Sequence, residues 1–120
     1  MLRSSFLTSA EVEAVVHDYR SAGLTAAEVA MCAYAEKITL HAYKVTPEDI
    51  DALRGHGLTD AEILDVALAA SFRAMYSKVL DAVGAEPDAE YLALEPSFLK
   101  ALTVGRPVRA NADTSPPNAA

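Results

Sequence analysis

The sequence predicts an all-α fold, a helical bundle of about five helices, and three observations carry that prediction. A threonine followed three residues later by a carboxylate stands at four separate points: Thr8 and Glu11, Thr25 and Glu28, Thr46 and Asp49, Thr59 and Glu62. Glycines at 23, 55, 57 and 84 punctuate the apolar runs that follow. The 120 residues are 52% hydrophobic, dominated by Ala, Leu and Val, and four of the six prolines lie beyond residue 90.

Each start is a capping box. The threonine hydroxyl accepts from the third backbone N–H of the new helix, and the carboxylate accepts from the threonine's own N–H. A hydrophobic staple accompanies each box: Leu7 with Val12, Leu24 with Val29, Val45 with Ile50 and Leu58 with Ile63. Pro47 sits at the first position of the third helix, where its missing N–H would have no partner anyway. Acidic residues in the first turns also complement the helix dipole. The first helix is predicted at about 9–22, closed by Gly23, and the second at 26–43. The third runs over 47–55, with Gly55 or Gly57 as its stop, and the fourth over 60–83, stopped by Gly84. A shorter fifth helix falls near 96–103. Beyond their starts the segments share no pattern, so no solenoid repeat is inferred.

The fourth helix, TDAEILDVALAASFRAMYSKVLDAVG, is apolar nearly all round, with Ile63, Val66, Ala67, Ala70, Met75, Val79, Leu80 and Val83 spread over most of its circumference. Such a helix belongs at the centre of a larger bundle or in a subunit interface. With so few other helices to cover it, a homo-oligomer through residues 60–83, or a partner covering the same face, is the expectation. Residues 1–105 read as a single helical domain. From Arg106 the chain reads RPVRANADTSPPNAA, without apolar periodicity, and a disordered tail is expected over 106–120.

A net charge of −7 argues against a broad nucleic-acid surface, which needs a basic stripe, and against a polybasic membrane anchor. No apolar run approaches the roughly 18 residues of a membrane span. The opening MLRSSFLTSAEVE lacks the apolar core of a signal peptide. One cysteine closes no intrachain disulfide, so a cytoplasmic location is expected.

Cys32 is the one candidate for nucleophilic chemistry. On a helical projection Met31, Tyr34, Ala35, Ile38 and Ala42 form an apolar arc, and Cys32 lies off it, beside Glu36 and Thr39. A carboxylate one turn away disfavours the thiolate, and the site is beyond the reach of the helix N-terminus, so a structural thiol is expected. His17, His41 and His56 have no metal-ligand spacing. Glu11, Glu28, Asp49, Asp60 and Glu62 are accounted for at helix starts, whereas Asp65 and Asp81 sit on the long helix and could face inward. Arg73, Tyr76, Ser77 and Lys78 scatter around that helix and define no pocket. There is no glycine-rich phosphate loop and no catalytic triad order. The residues alone therefore indicate no catalytic, cofactor-binding or metal site, and no cofactor, with Cys32 the only candidate.

Three stretches nevertheless resemble the C-terminal part of the carboxymuconolactone decarboxylase / alkylhydroperoxidase D-like superfamily, in its peroxidase-related branch. They are HDYRSAGLTAAEVAMCAYAEKIT, VTPEDIDALRGHGLTDAEILDVALAASFRAMYSKVLDAVGAEPDAEY and LEPSFLKALTVGRPV. The YAEKIT run, the TPEDIDALRGHGLTDAEI run and the closing ALTVGRP are the most telling, and the resemblance spans about residues 12–108. It implies an all-α, oligomeric protein acting in thiol-dependent hydroperoxide reduction; other members of the superfamily decarboxylate a lactone. Family members use a C-x-x-C pair, with a Glu before it and a His after it, in a hairpin N-terminal to everything matched. No residue of this sequence corresponds to that hairpin. The resemblance thus implies a truncated or degenerate member without autonomous activity. The alternatives are the scaffold half of a split enzyme, whose partner supplies the hairpin, or a non-catalytic helical self-association module.

Overall fold

A computed structural model describes residues 7–110. Among the described residues there are five α-helices and no strand: α1 (Ser9–Asp18), α2 (Ala26–His41), α3 (Pro47–Gly55), α4 (Asp60–Ala82) and α5 (Pro96–Leu102). Single turns of 3-10 helix follow α2 at Ala42–Lys44 and precede α5 at Ala89–Ala93. The chain divides into two compact units, one formed by Asp18–Gly84 and the other by the segments up to His17 and from Ala85.

The helix starts form as the sequence dictates. Glu11, Glu28 and Glu62 accept from the N–H of Thr8, Thr25 and Thr59 at 2.7, 2.8 and 2.7 Å, and each threonine hydroxyl accepts in return at 3.3 Å. Asp49 accepts from the Thr46 N–H at 2.8 Å. α1 is shorter than the predicted 9–22. Asp18 takes over the local backbone, its carboxylate accepting from the Arg20 N–H at 3.1 Å and from the Ser21 hydroxyl at 2.9 Å. Such side-chain bonds offer the backbone an alternative to the next helical turn. α2 also ends early, at His41. Pro47 forces Thr46 into extended geometry (φ −121°, ψ 165°), and the Ala42–Lys44 turn makes the transition.

In the unit Asp18–Gly84, α4 packs along α2, and α3 packs against both. The face of α4 turned toward this contact carries Ile63, Val66, Ala67, Ala70, Ala74 and Ser77, all buried or half-buried. Only Leu53 (2% exposed) and Ile63 (5%) are fully buried in this unit. Leu53 owes its position to the end of α3. The Gly57 N–H donates to Arg54 O at 2.9 Å and the Leu58 N–H to Leu53 O at 3.3 Å, a Schellman closure that folds Leu58 back toward Leu53. This closure needs the left-handed φ of +91° at Gly57, whereas Gly55 lies inside α3 with ordinary φ. Of the two glycines predicted as stops, Gly57 is the one that acts.

Ion pairs tie the helices together. Lys37 Nζ on α2 lies 2.5 Å from Asp49 Oδ2 on α3, and Arg54 bridges Asp51 (2.7 Å) and Asp60 (2.8 Å) into the start of α4. Tyr19 and Arg20 reach Glu36 of α2 at 2.7 and 2.9 Å.

In the other unit α5 packs against the 3-10 turn Ala89–Ala93, and Phe98 is buried (4% exposed). Glu95 caps α5, its carboxylate accepting from the N–H of Ser97 and of Phe98, both at 3.1 Å, with Pro96 at the first position. Arg106, where the predicted tail begins, donates from Nη1 to Ala85 O at 3.2 Å. The remainder of that tail, from residue 111, lies outside the described residues.

A Cβ at either Gly55 or Gly57 would meet nothing within 4 Å, so backbone geometry alone decides the outcome there. Gly57→Ala is expected to cost about 1–2 kcal/mol. Gly55→Ala, within the helix, is expected to stabilise by up to about 1 kcal/mol. Urea denaturation of the two variants checks the opposite signs. Backbone N–H groups hold Glu11, Glu28 and Glu62 below the usual carboxylate range, and Lys37 foremost does so for Asp49. A depressed folded-state value means stability is present above the unfolded value and lost as the pH falls through the folded one. The thermal midpoint should therefore drop as the pH is lowered from about 5 through the carboxylate range, and Glu62→Gln should flatten part of that drop.

Candidate functional site

Cys32 lies at mid-length of α2 and is half-buried. Burial, foremost, and then the Glu28 carboxylate one turn before it push the thiol up from its ordinary range. The sequence pointed to Glu36 as the opposing charge. The carboxylate that acts is Glu28, while Glu36 accepts from Tyr19 and Arg20. The thiol form is favoured, and only the thiolate is a nucleophile.

The three histidines stand apart. His17 occupies the last turn of α1, His41 ends α2 with its ring edge-on to Tyr43 at 6.1 Å, and His56 caps α3 through its backbone N–H. Among the described residues no group of three or more His, Cys, Asp or Glu is placed to hold a metal ion. Asp65 and Asp81, which could have faced inward, are both exposed.

Arg73, Ser77 and Lys78 do not scatter as the sequence suggested. They line one open groove of about 560 Å3 between α2 and α4, together with Ala35, Thr39 and Leu40. Arg73 Nη1 donates to Ser77 Oγ at 2.6 Å. Tyr76 does not join them; it is exposed and stacked on Phe72, with ring centroids 6.4 Å apart. The groove offers two cations, the Glu36 carboxylate and the hydroxyls of Thr39 and Ser77 over an alanine floor, and none of its lining residues is a nucleophile paired with a base.

The most distinctive surface is the outward side of α4. Leu64, Leu68, Phe72, Met75, Tyr76, Val79, Leu80 and Val83 are 37% to 74% exposed. The sequence marked Met75, Val79, Leu80 and Val83 as part of an all-round apolar helix, without separating its two sides. Ile63, Val66, Ala67, Ala70, Ala74 and Ser77 face α2, and Leu64, Leu68, Phe72, Met75, Tyr76 and Val79 face away. Leu64, Leu68 and Phe72 escaped that reading, although with Met75, Val79 and Val83 they recur at the three- and four-residue intervals of one helix face.

No protein-family model, curated protein or solved structure matches the chain. Among the described residues no helix is long and apolar enough to cross a membrane.

At pH 8 Cys32 in the folded chain should alkylate with iodoacetamide several-fold more slowly than after unfolding in urea. Mass spectrometry of timed samples checks this, and equal rates would contradict protection of the thiol by the fold.

Proposed function

We propose that the chain is an assembly scaffold of the carboxymuconolactone decarboxylase / alkylhydroperoxidase D-like type. It self-associates through α4 and carries out no thiol redox step with its own cysteine. The outward face of α4 carries this reading. Eight large apolar residues on one helix face water, while the unit they belong to fully buries only Leu53 and Ile63. Contiguous apolar surface of this extent marks an interaction site.

The family resemblance supports the scaffold role through the residues that bear it. Lys37 of the YAEKIT run pairs with Asp49 of the TPEDI run, and Arg54 of the same second stretch links Asp51 with Asp60. The resembling residues thus fix how α2, α3 and α4 meet. Thiol-dependent peroxide reduction needs a thiolate to attack the peroxide and a second thiol to resolve the sulfenic acid. With one cysteine in 120 residues, its thiol pushed up by burial and by Glu28, this sequence does not supply both thiols.

Light scattering of the full chain should give a multiple of 12.7 kDa, and Leu68→Glu should reduce it to a single copy. Peroxide consumption should be identical for the chain and for Cys32→Ser. A monomeric parent chain overturns the assembly role, and turnover that depends on Cys32 overturns the redox-silent one. Turnover appearing only in a complex with a cysteine-bearing polypeptide replaces self-association with a split enzyme.

A further inference from the structure

We infer that α4 pairs with α4 of a second copy of this chain in antiparallel register, about a twofold axis passing between positions 73 and 74. The inference rests on the self-association proposed above and adds the partner element and its alignment. The spacing of the stripe carries it. Leu64, Leu68, Phe72, Met75, Val79 and Val83 follow one another at intervals of four, four, three, four and four, a series that reads the same in both directions. Reversing one copy about the midpoint sets Leu64 against Val83, Leu68 against Val79 and Phe72 against Met75, and each pairing occurs twice. Every layer joins a bulkier residue from the N-terminal half with a slimmer or more adaptable one from the C-terminal half, the combination that fills space between facing helices.

The polar residues raise no objection to this register. Asp65 falls opposite Ala82 and Lys78 opposite Ala69, while Arg73 and Asp81 fall opposite positions 74 and 66, which belong to the α2 side and stay out of the contact, so no like charges oppose one another. The area suffices as well. Side chains of this size present on the order of 100 Å2 each at such exposure, so the eight together offer on the order of 800 Å2, the share each partner contributes to a standard interface. A parallel pairing would set like residues opposite each other, Phe72 on Phe72 and Val83 on Val83, and lose the complementary sizes.

The test uses the full chain with Cys32→Ser and one new cysteine per variant. Leu64→Cys and Val83→Cys proteins are mixed, exchanged and oxidised. In the antiparallel register residue 64 of one copy faces residue 83 of the other, whereas two residues 64 lie roughly 28 Å apart along the axis at 1.5 Å per residue. The mixture should yield a cross-linked heterodimer, and neither variant alone should cross-link. Cross-linking within a single variant indicates parallel pairing and overturns the inference. Light scattering on the same samples separates the two proposals. An oligomer without the 64–83 cross-link overturns the register and leaves self-association standing; a monomer overturns both, and means that something other than a second copy covers the stripe.

Discussion

Beyond Ile63 and Val66, the contact of α4 with α2 is made by small side chains, and the rest of the unit Asp18–Gly84 depends on that choice. Ala67, Ala70, Ala74 and Ser77 let two helices approach closely while removing little apolar area from water. Each buried methylene contributes about 0.8 kcal/mol, whereas a fully buried Leu or Phe contributes about 1.5–3 kcal/mol. The residues able to contribute most, Phe72 and the leucines at 64 and 68, are on the other side of the same helix. The unit is thus organised by its alanines and left unfinished by its large residues.

With so little buried inside, the helix ends and the links between them carry an unusual share of the definition. The starts of α2, α3 and α4 are capped by carboxylates, α3 is closed by a left-handed glycine, and Lys37, Arg54 and Glu36 join successive elements. Exposed pairs such as Arg54–Asp60 add little to stability, because water screens them. Their value lies in fixing direction. Arg54 spans the α3–α4 turn, and Lys37 sets the angle at which α3 returns to α2.

Much of this was legible in the sequence because it is local. A Thr followed by a carboxylate at the third position announces a helix start by itself, and all four starts form where the residues place them. Helix ends were less legible. The early stop of α1 comes from Asp18 turning its carboxylate onto the following backbone, a competition that apolar periodicity does not register. Cys32 shows the same limit. Glu28 and Glu36 are equally distant along the helix, so spacing alone does not say that Glu28 is the one that acts on the thiol. The orientation of α4 was hidden for another reason. A helix apolar all round has a weak directional signal, so hydrophobicity counts do not show which side is inside.

The reversed reading of the stripe has a consequence for what happens when many copies meet. A sticky face complementary to some different face recruits copies head to tail and builds open filaments. A face complementary to itself is used up when two copies meet, leaving nothing to recruit a third. The recurrence of the pattern after eleven residues, Leu64 to Met75, Leu68 to Val79 and Phe72 to Val83, lies close to the natural winding of the helix, so pairing requires little supercoiling. A chain that shows water this much apolar surface can therefore assemble and stop.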